Sequence, residues 1–188
     1  LFSTTVAAQK KKTEPEADKN DQWKSETFSG LSFRSIGPAI TSGRVVDFAV
    51  NPNNHKEYFV AAASGGVWKT SNGGITYAPV FEGEGSYSIG CVRIDPNNTN
   101  VVWVGTGENN NQRSVAYGDG VYKSEDGGKS WKNMGLKESQ HTGMIAIDKN
   151  NSDIVYVAAY GPLWNAGGER GIYKTTDGGK TWNRILFV

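Results

Sequence analysis

A segment of twelve residues occurs three times in this chain, and it constrains the fold more than any other feature. Each copy begins with Gly and a β-branched residue, passes through a Gly-Gly pair and ends on an aromatic residue. The copies are GVWKTSNGGITY from Gly66, GVYKSEDGGKSW from Gly120 and GIYKTTDGGKTW from Gly171. Such repeats bury their apolar faces only against neighbouring copies, so the repeat decides the architecture.

Each repeat contains four short β-prone runs. In the first repeat they are Arg44–Val50, Glu57–Ala63, Val67–Ser71 and Ile75–Val80. Four strands in a unit of about 50 residues are typical of a propeller blade, whereas parallel solenoids have shorter coils without this hairpin turn. The sequence therefore predicts an all-β fold, a β-propeller fragment of about three four-stranded antiparallel blades, at about 43–80, 87–135 and 140–186.

The composition is typical of strands rich in aromatic residues and joined by tight turns, and it also excludes several classes of function. The 188 residues include 24 Gly, 6 Trp and 8 Tyr. The formal charge of +1 gives no basic stripe, so no nucleic-acid partner is predicted. Cys91 is the single cysteine, which excludes an internal disulfide and a thiolate metal cluster. The two histidines, His55 and His141, are expected on opposite faces, so we predict no metal site and no cofactor.

The N-terminal part of the chain lacks the repeat. Residues 1–8 read as the remnant of a secretory signal peptide, with a disordered start as the alternative. Residues 9–30 are rich in Lys, Glu and Asp and predict a disordered polar tether, whereas 31–188 form the partial propeller. No apolar run reaches the roughly 18 residues of a membrane helix, so no membrane segment is predicted in this chain. The expected location is secreted, periplasmic or at the cell surface.

The turn between the third and fourth strands of each repeat has a physical explanation. An Asp carboxylate can accept backbone N–H groups inside the turn, the glycines can adopt positive φ, and the closing Trp can cover the turn. The pattern resembles the Asp box of bacterial sialidases, sortilin-type receptors and xyloglucan-cleaving propellers, in which the box is structural. In the first copy Asn72 replaces the Asp and Tyr77 replaces the Trp, which predicts a weaker turn. The structural box residues are therefore predicted to be Asn72, Asp126, Trp131, Asp177 and Trp182.

A catalytic or calcium-binding role is the alternative for the two box aspartates. A residue that recurs in every blade explains a fold better than it explains a unique site. We therefore look for function on the opposite face, which carries the loops between second and third strands. These loops lengthen in the second and third repeats, to Gly105–Asp119 and Tyr160–Arg170. Long loops on a rigid scaffold usually display binding groups.

Aligning the first strands backward from their turns places Arg44, Ser88 and His141 at one equivalent position near the channel mouth, so this position differs in each repeat. This variation indicates the lining of a site, with solvation of the channel rim as the alternative. A ligand is expected to contact this face, with Trp164 as a flat platform and the arginines as carboxylate partners. The ligand-binding candidates are Arg44, His141, Glu108, Asn109, Arg113, Trp164 and Arg170.

Several segments resemble the beginning of bacterial sortilin-like propeller proteins. They are RSIGP from Arg34, SGR from Ser42, ASGGVWKT from Ala63 and GTGEN from Gly105, and the likeness spans about four-fifths of the chain. The resemblance implies a large exported propeller. Such proteins are often labelled glycosyl hydrolases because of their Asp boxes. The remaining blades of the same polypeptide would then be partners of these three.

The resemblance leaves enzymatic activity open. Xyloglucanase-like propellers carry a catalytic Asp just before the Gly-Gly of the first blade, and Ala63 stands at that position. Glycoside hydrolysis generally needs two carboxyl groups, and Glu108 is only a weak candidate because Arg113 lies near enough in sequence to pair with it. We therefore predict a module that binds a protein, peptide or glycan, with a xyloglucanase- or sialidase-like glycoside hydrolase as the alternative.

Overall fold

The computed structural model describes residues 28–31, 43–110 and 115–187. The chain divides into two compact units, residues 1–34 and 35–188. In the first unit, Phe28–Leu31 form one turn, closed by a 2.9 Å hydrogen bond from the Leu31 N–H to the Phe28 carbonyl. The predicted signal remnant and most of the predicted tether lie outside the described residues.

The second unit contains three four-stranded antiparallel sheets, and each sheet uses strands that are consecutive in the chain. We call the sheets blade one (β1–β4), blade two (β5–β8) and blade three (β9–β12). Their strands are β1 Val45–Val50, β2 Tyr58–Ala62, β3 Gly66–Thr70, β4 Ala78–Pro79, β5 Ile89–Ile94, β6 Val102–Thr106, β7 Val121–Ser124, β8 Lys132–Asn133, β9 Thr142–Ile147, β10 Val155–Ala159, β11 Gly171–Thr175 and β12 Asn183–Leu186. A 3₁₀ turn at Lys137–Ser139 links the second blade to the third.

The observed strands of blade one differ from the predicted runs mainly at the fourth strand. The first three agree within one residue at each end, but the fourth comprises only Ala78–Pro79 instead of Ile75–Val80. Asn72 accepts the N–H of Thr76 at 2.9 Å, so the turn uses residues that the prediction gave to the strand. Pro79 also has no N–H to extend the ladder.

The core lies between neighbouring blades. The innermost strand of each blade packs against the next, β1 against β5 and β5 against β9. Two apolar clusters fill the joints, the first including Phe59, Val67, Val92 and Tyr122, and the second including Trp103, Ile145, Val157 and Tyr173. Cys91 belongs to the second cluster, and burial raises the pKa of its thiol to about 12. This cysteine is therefore a small apolar side chain of the core.

The turn before the fourth strand of blade two, residues 124–131, is organised by the carboxylate of Asp126. We call this turn and its counterparts in the other blades box turns. The Oδ1 atom accepts the N–H groups of Lys129 and Ser130, both at 2.9 Å, and the Ser124 hydroxyl at 2.8 Å. The Oδ2 atom accepts the Ser130 hydroxyl at 2.6 Å. The Ser124 oxygen in turn accepts the N–H of Gly128 at 2.8 Å, so the turn satisfies its own backbone.

The other two blades repeat this arrangement. In blade three, Asp177 accepts the hydroxyls of Thr175 and Thr181, both at 2.6 Å, and the Thr181 N–H at 2.9 Å. In blade one the neutral amide of Asn72 takes the place of the Asp carboxylate. Its oxygen accepts the Thr76 N–H at 2.9 Å and its nitrogen donates to the Thr76 hydroxyl at 2.8 Å. Asn72 therefore forms the same kind of turn without a charge.

The box tryptophans join neighbouring blades. The indole N–H of Trp131 donates to the Val80 carbonyl of blade one at 2.6 Å, and that of Trp182 donates to the Met134 carbonyl of blade two at 2.8 Å. The Trp131 ring also packs edge-on against Phe81, with centroids 5.1 Å apart. The predicted role was to cover the turn; the tryptophan in addition fixes the turn to the preceding blade.

Stability should depend on the charge of the box aspartates at low pH. Hydrogen bonds, chiefly from the Ser130 hydroxyl, hold the pKa of Asp126 well below its usual range. A carboxyl with a depressed folded pKa contributes stability that is present above about pH 4 and lost as the pH falls through the folded pKa. We expect Asp126→Ala to lower the melting temperature at pH 7 by several degrees. Asp126→Asn should cost less and should weaken the acid dependence, because Asn72 already forms this turn with an amide. Thermal melts from pH 2 to 7 test both; equal melting of all three proteins would contradict the role of this carboxylate.

Candidate functional site

Three residues mark the end of the blades that is opposite to the box turns. Arg44, Ser88 and His141 each come directly before the first strand of a blade. The carbonyl of each accepts the N–H of the residue that directly follows the second strand of its blade, at distances of 2.7–3.0 Å. The three positions are thus structurally equivalent, as the sequence alignment predicted. Their side chains differ, and those of Ser88 and His141 are fully buried.

Glu108 lies at the centre of this end, on the loop between β6 and β7. Its side chain is only 2% exposed and forms an ion pair with the guanidinium of Arg44. With the Asn110 amide oriented so that its oxygen faces Arg44, that oxygen accepts from Nε and Nη2, both at 2.7 Å. The Glu108 N–H donates to the Ser88 hydroxyl at 3.0 Å. Arg44 of blade one is therefore fastened to the loop of blade two.

The imidazole of His141 completes this cluster from blade three. Its Nδ1 lies 2.8 Å from the Glu108 carbonyl oxygen, an acceptor, so Nδ1 carries the proton. Burial lowers the pKa of His141, which favours the neutral ring, and Nε2 is then an acceptor. Nε2 is buried and has no hydrogen-bond partner among the described residues. The Tyr117 ring lies against the imidazole, with centroids 5.4 Å apart. We call Arg44, Glu108, Asn110, Tyr117 and His141 the mouth cluster.

The described part of the blade-two loop is held firmly over this cluster. The Ser88 hydroxyl donates to the Ala116 carbonyl and the Ser86 hydroxyl to that of Tyr117, both at 2.9 Å. The Gly118 N–H donates to the Gln140 carbonyl at 2.7 Å, which ties the loop to blade three as well. Arg113 lies outside the described residues, so its predicted pairing with Glu108 stays a prediction, whereas Arg44 is an observed partner.

The blade-three loop presents the second group of predicted residues. Trp164 is 63% exposed, and with Leu163, Arg170 and Phe187 it lines a shallow depression. The Arg170 guanidinium donates to two carbonyls of its own loop, those of Pro162 and Asn165. Arg170 therefore shapes the loop that holds the tryptophan, in addition to its predicted role toward a ligand.

Some functional candidates were not recognised in the sequence. Asn110 and Tyr117 belong to the mouth cluster, and the only signal for them was their place in the inserted loop. The predicted ligand contact Asn109 uses its amide nitrogen to donate to the Gly90 carbonyl at 3.0 Å. Three tyrosines on this end of the blades are also substantially exposed, Tyr87 by 62%, Tyr117 by 56% and Tyr160 by 41%.

In the ranges 28–31, 43–110 and 115–187, no group of three or more His, Cys, Asp or Glu side chains is arranged to hold a metal ion. Over the same ranges, no helix is long and apolar enough to cross a membrane.

The fold defines the chain as a fragment of a β-propeller. Three consecutive four-stranded antiparallel blades, packed through their first strands, are the architecture that the sequence predicted. The comparisons with solved structures give the same class. No protein-family profile matches the sequence, and no curated protein matches it.

The similar solved structures are β-propeller proteins whose names indicate different functions. An ancestral GH74 enzyme is 29% identical, with 76% of this chain and 18% of that chain covered and a TM-score of 0.57. An auxiliary nutrient binding protein from Bacteroides thetaiotaomicron is 16% identical, with 78% and 31% covered and a TM-score of 0.54. YCF48 bound to D1 peptide is 16% identical, with 74% and 40% covered and a TM-score of 0.51. The chain thus spans less than a fifth of that GH74 enzyme.

Proposed function

We propose that this chain is part of an exported propeller that binds a peptide, protein or glycan on the face of the loops between second and third strands. One observation carries the proposal: exposed aromatic rings lie on the loops at the end of the blades that also carries the fixed polar groups of the mouth cluster. Tyr87, Tyr117, Tyr160 and Trp164 are each at least 41% exposed there. Aromatic side chains with an arginine are the typical anchors of binding sites.

The arrangement suits recognition because its polar groups are held in place before a ligand arrives. Arg44 is fixed by Glu108 and Asn110, and His141 is fixed by the Glu108 carbonyl. A preorganised site loses less conformational freedom on binding. The charge of Arg44 is largely neutralised by the Glu108 carboxylate, so Arg113 is the better candidate to bind a carboxylate of the ligand. The similarity to a nutrient-binding protein and to YCF48 with a bound peptide supports a binding role. Assignment to the sortilin-like Asp-box proteins is part of this proposal.

The test is a peptide and glycan array screened with the chain, followed by titration of the strongest hit. We expect Trp164→Ala to weaken binding at least about tenfold, because an exposed ring at the centre of an interface is a typical hot spot. Arg113→Ala should weaken binding to an acidic ligand by a similar factor. Asn98→Ala, in an exposed turn at the box end of blade two, is the control and should bind like the unchanged chain. Equal losses in all three variants would contradict the assignment to this face.

Glycoside hydrolysis is the second candidate, and the likeness to a GH74 enzyme favours it. Two features speak against it. Ala63, at the predicted position of the catalytic Asp, offers a methyl group that is only 1% exposed. The guanidinium beside Glu108 favours the ionised carboxylate, which is unsuited to donate a proton. Release of reducing sugar from xyloglucan, abolished by Glu108→Gln in a protein that still folds, would establish the hydrolase.

A further inference from the structure

Blade two carries exposed tyrosines and carboxylates on two segments beside the mouth cluster. The segments are the connection from blade one, at 81–88, and the described part of the blade-two loop, at 115–120. Tyr87 is 62% exposed and Tyr117 is 56% exposed. Both neighbours of blade two are present in the structure, so this exposure does not depend on blades outside the chain. We call Glu84, Tyr87, Tyr117 and Asp119 the tyrosine patch.

Hydrogen bonds hold a carboxylate where the two segments meet. The Gly85 N–H donates to the Tyr122 hydroxyl at 3.3 Å, and this hydroxyl donates to the Asp119 carboxylate at 2.5 Å. The Oδ2 atom of Asp119 lies so close to Gly85 that a Cβ there would overlap it. Because Glu84 directly precedes Gly85, the structure brings two acidic residues to the same place.

The tyrosine patch has negative charge without a matching cation. The ranges 81–88 and 115–120 contain Glu82, Glu84 and Asp119 but no Lys, Arg or His. Among the described residues, these three carboxylates form no ion pair. Partial burial and the neighbouring charge of Asp119 raise the pKa of Glu84, so the two carboxylates repel each other. A cation placed between them would relieve this repulsion, whereas a further carboxylate would increase it.

A buried acceptor without a partner lies beneath the same patch. The imidazole of His141 packs against the Tyr117 ring, and its Nε2 atom is buried and has no hydrogen-bond partner among the described residues. Buried polar atoms are normally paired. A neutral imidazole that carries its proton on Nδ1 accepts through Nε2, so only a hydrogen-bond donor can satisfy it. Ammonium, guanidinium and amide groups are donors, whereas an ionised carboxylate is not.

From the exposed rings, the uncompensated carboxylates and the unfilled acceptor, we infer that the tyrosine patch binds a Lys or Arg side chain of a peptide or protein. This inference rests on the proposed binding function and specifies its ligand. Tyrosine faces attract cations, and the carboxylates supply the opposite charge. The rings project into solvent, so a small free cation would keep its water there. A basic side chain arrives with neighbouring surface that covers the rings and excludes water.

The test is a titration of the whole chain, followed by NMR chemical shifts, with four small probes. They are tetralysine with blocked ends, the same peptide with all four amines acetylated, tetraglutamate with blocked ends, and free spermine. In about 150 mM salt we expect tetralysine to bind at least about tenfold more tightly than the other three. The formal charge of the chain is only +1, so its net charge does not attract a basic peptide.

Variants separate attraction to the rings from simple apolar contact. Phe at both Tyr87 and Tyr117 should keep the affinity for tetralysine within about twofold, whereas Leu at both should lower it at least about fivefold. Glu84→Gln should lower it by a similar factor, because it removes a charge and keeps the shape. Asp153→Asn, at an exposed turn of the box end, is the matched control and should bind like the unchanged chain. Thermal melts check that each variant is folded.

Several results would overturn this inference and leave the proposed function standing. They are tetralysine that binds no better than the acetylated peptide, tetraglutamate or spermine, and binding of tetralysine that Glu84→Gln and Leu at both tyrosines leave unchanged. An array hit that Trp164→Ala weakens but the patch variants do not would overturn it as well. Absence of any peptide or glycan hit would overturn the proposed function and this inference together.

Discussion

Replacing Gly128 by alanine is expected to lower the free energy of unfolding by about 3 kcal/mol, the sum of overpacking and a left-handed backbone at a residue with a Cβ. Its φ is +86°, and the added methyl would meet the fully buried Phe59 ring, which has no room to shift. Gly127 is the matched control, since its φ is +72° but the nearest atom would be 3.4 Å away. Alanine there should cost only about 1 kcal/mol.

Urea unfolding of both variants measures the difference. The same substitution at Gly74 should also be milder than at Gly128, because the atoms it would meet are the hydroxyls of exposed or half-exposed tyrosines. Equal losses at Gly127 and Gly128 would show that the glycine on the ring is required only for its backbone conformation. The contact between the box turn and the preceding blade would then be of little energetic importance.

Arg44→Ala should destabilise the fold by about 2 kcal/mol, because it removes a cation from the carboxylate of Glu108. We expect less than the cost of breaking a fully buried pair, since Arg44 is 37% exposed and screened by solvent. Glu108→Gln in the same chain should restore part of the loss, because the buried group is then neutral. A double-mutant cycle by urea unfolding at pH 7 gives the coupling between the two residues.

The pH dependence gives a second measure of this ion pair. In Arg44→Ala the Glu108 side chain, which is 2% exposed, loses the guanidinium that faces its carboxylate. Because burying a charged carboxylate costs more than burying a neutral carboxyl, we expect the extra instability to be largest near neutral pH and to decrease as the solution is acidified. Arg93→Ala is the control, because its partner Asp47 is more accessible, at 19% exposed. An equal, pH-independent loss in both variants would contradict a special burial of Glu108.

The sequence predicted the blades well because the interactions that form each box turn join residues close together within one repeat. The Gly-Gly pair and the Ser, Thr, Asp and Asn side chains of each box turn satisfy the turn from within a few residues, as Asp126 does. The short fourth strand was not foreseen, because strand propensity does not show how many residues a turn takes. The bond from the indole of Trp131 to blade one was also missed, since nothing local indicates that an indole will reach the Val80 carbonyl.

The candidate site was predictable only in part, because some of its contacts join residues of different blades. Alignment of the first strands placed Arg44, Ser88 and His141 at one level, which the carbonyl hydrogen bonds confirm. The partner of Glu108 was sought in Arg113, close in sequence, whereas the observed partner Arg44 comes from another blade. Ion pairs between blades depend on how the loops fold over the mouth cluster, and a single sequence does not show this.

The indole bonds between blades have an evolutionary consequence, because their acceptors are main-chain carbonyls. Residues 80 and 134 are Val and Met, yet both accept an indole N–H in the same way. A side-chain acceptor would tie each blade to one particular neighbour, whereas a carbonyl is supplied by every amino acid. Blades can therefore diverge, duplicate or be exchanged between relatives without losing this bond, provided that the incoming turn keeps its tryptophan and the receiving strand keeps its ring. Conservation across relatives should accordingly be high at the box tryptophans and low at the positions that receive them.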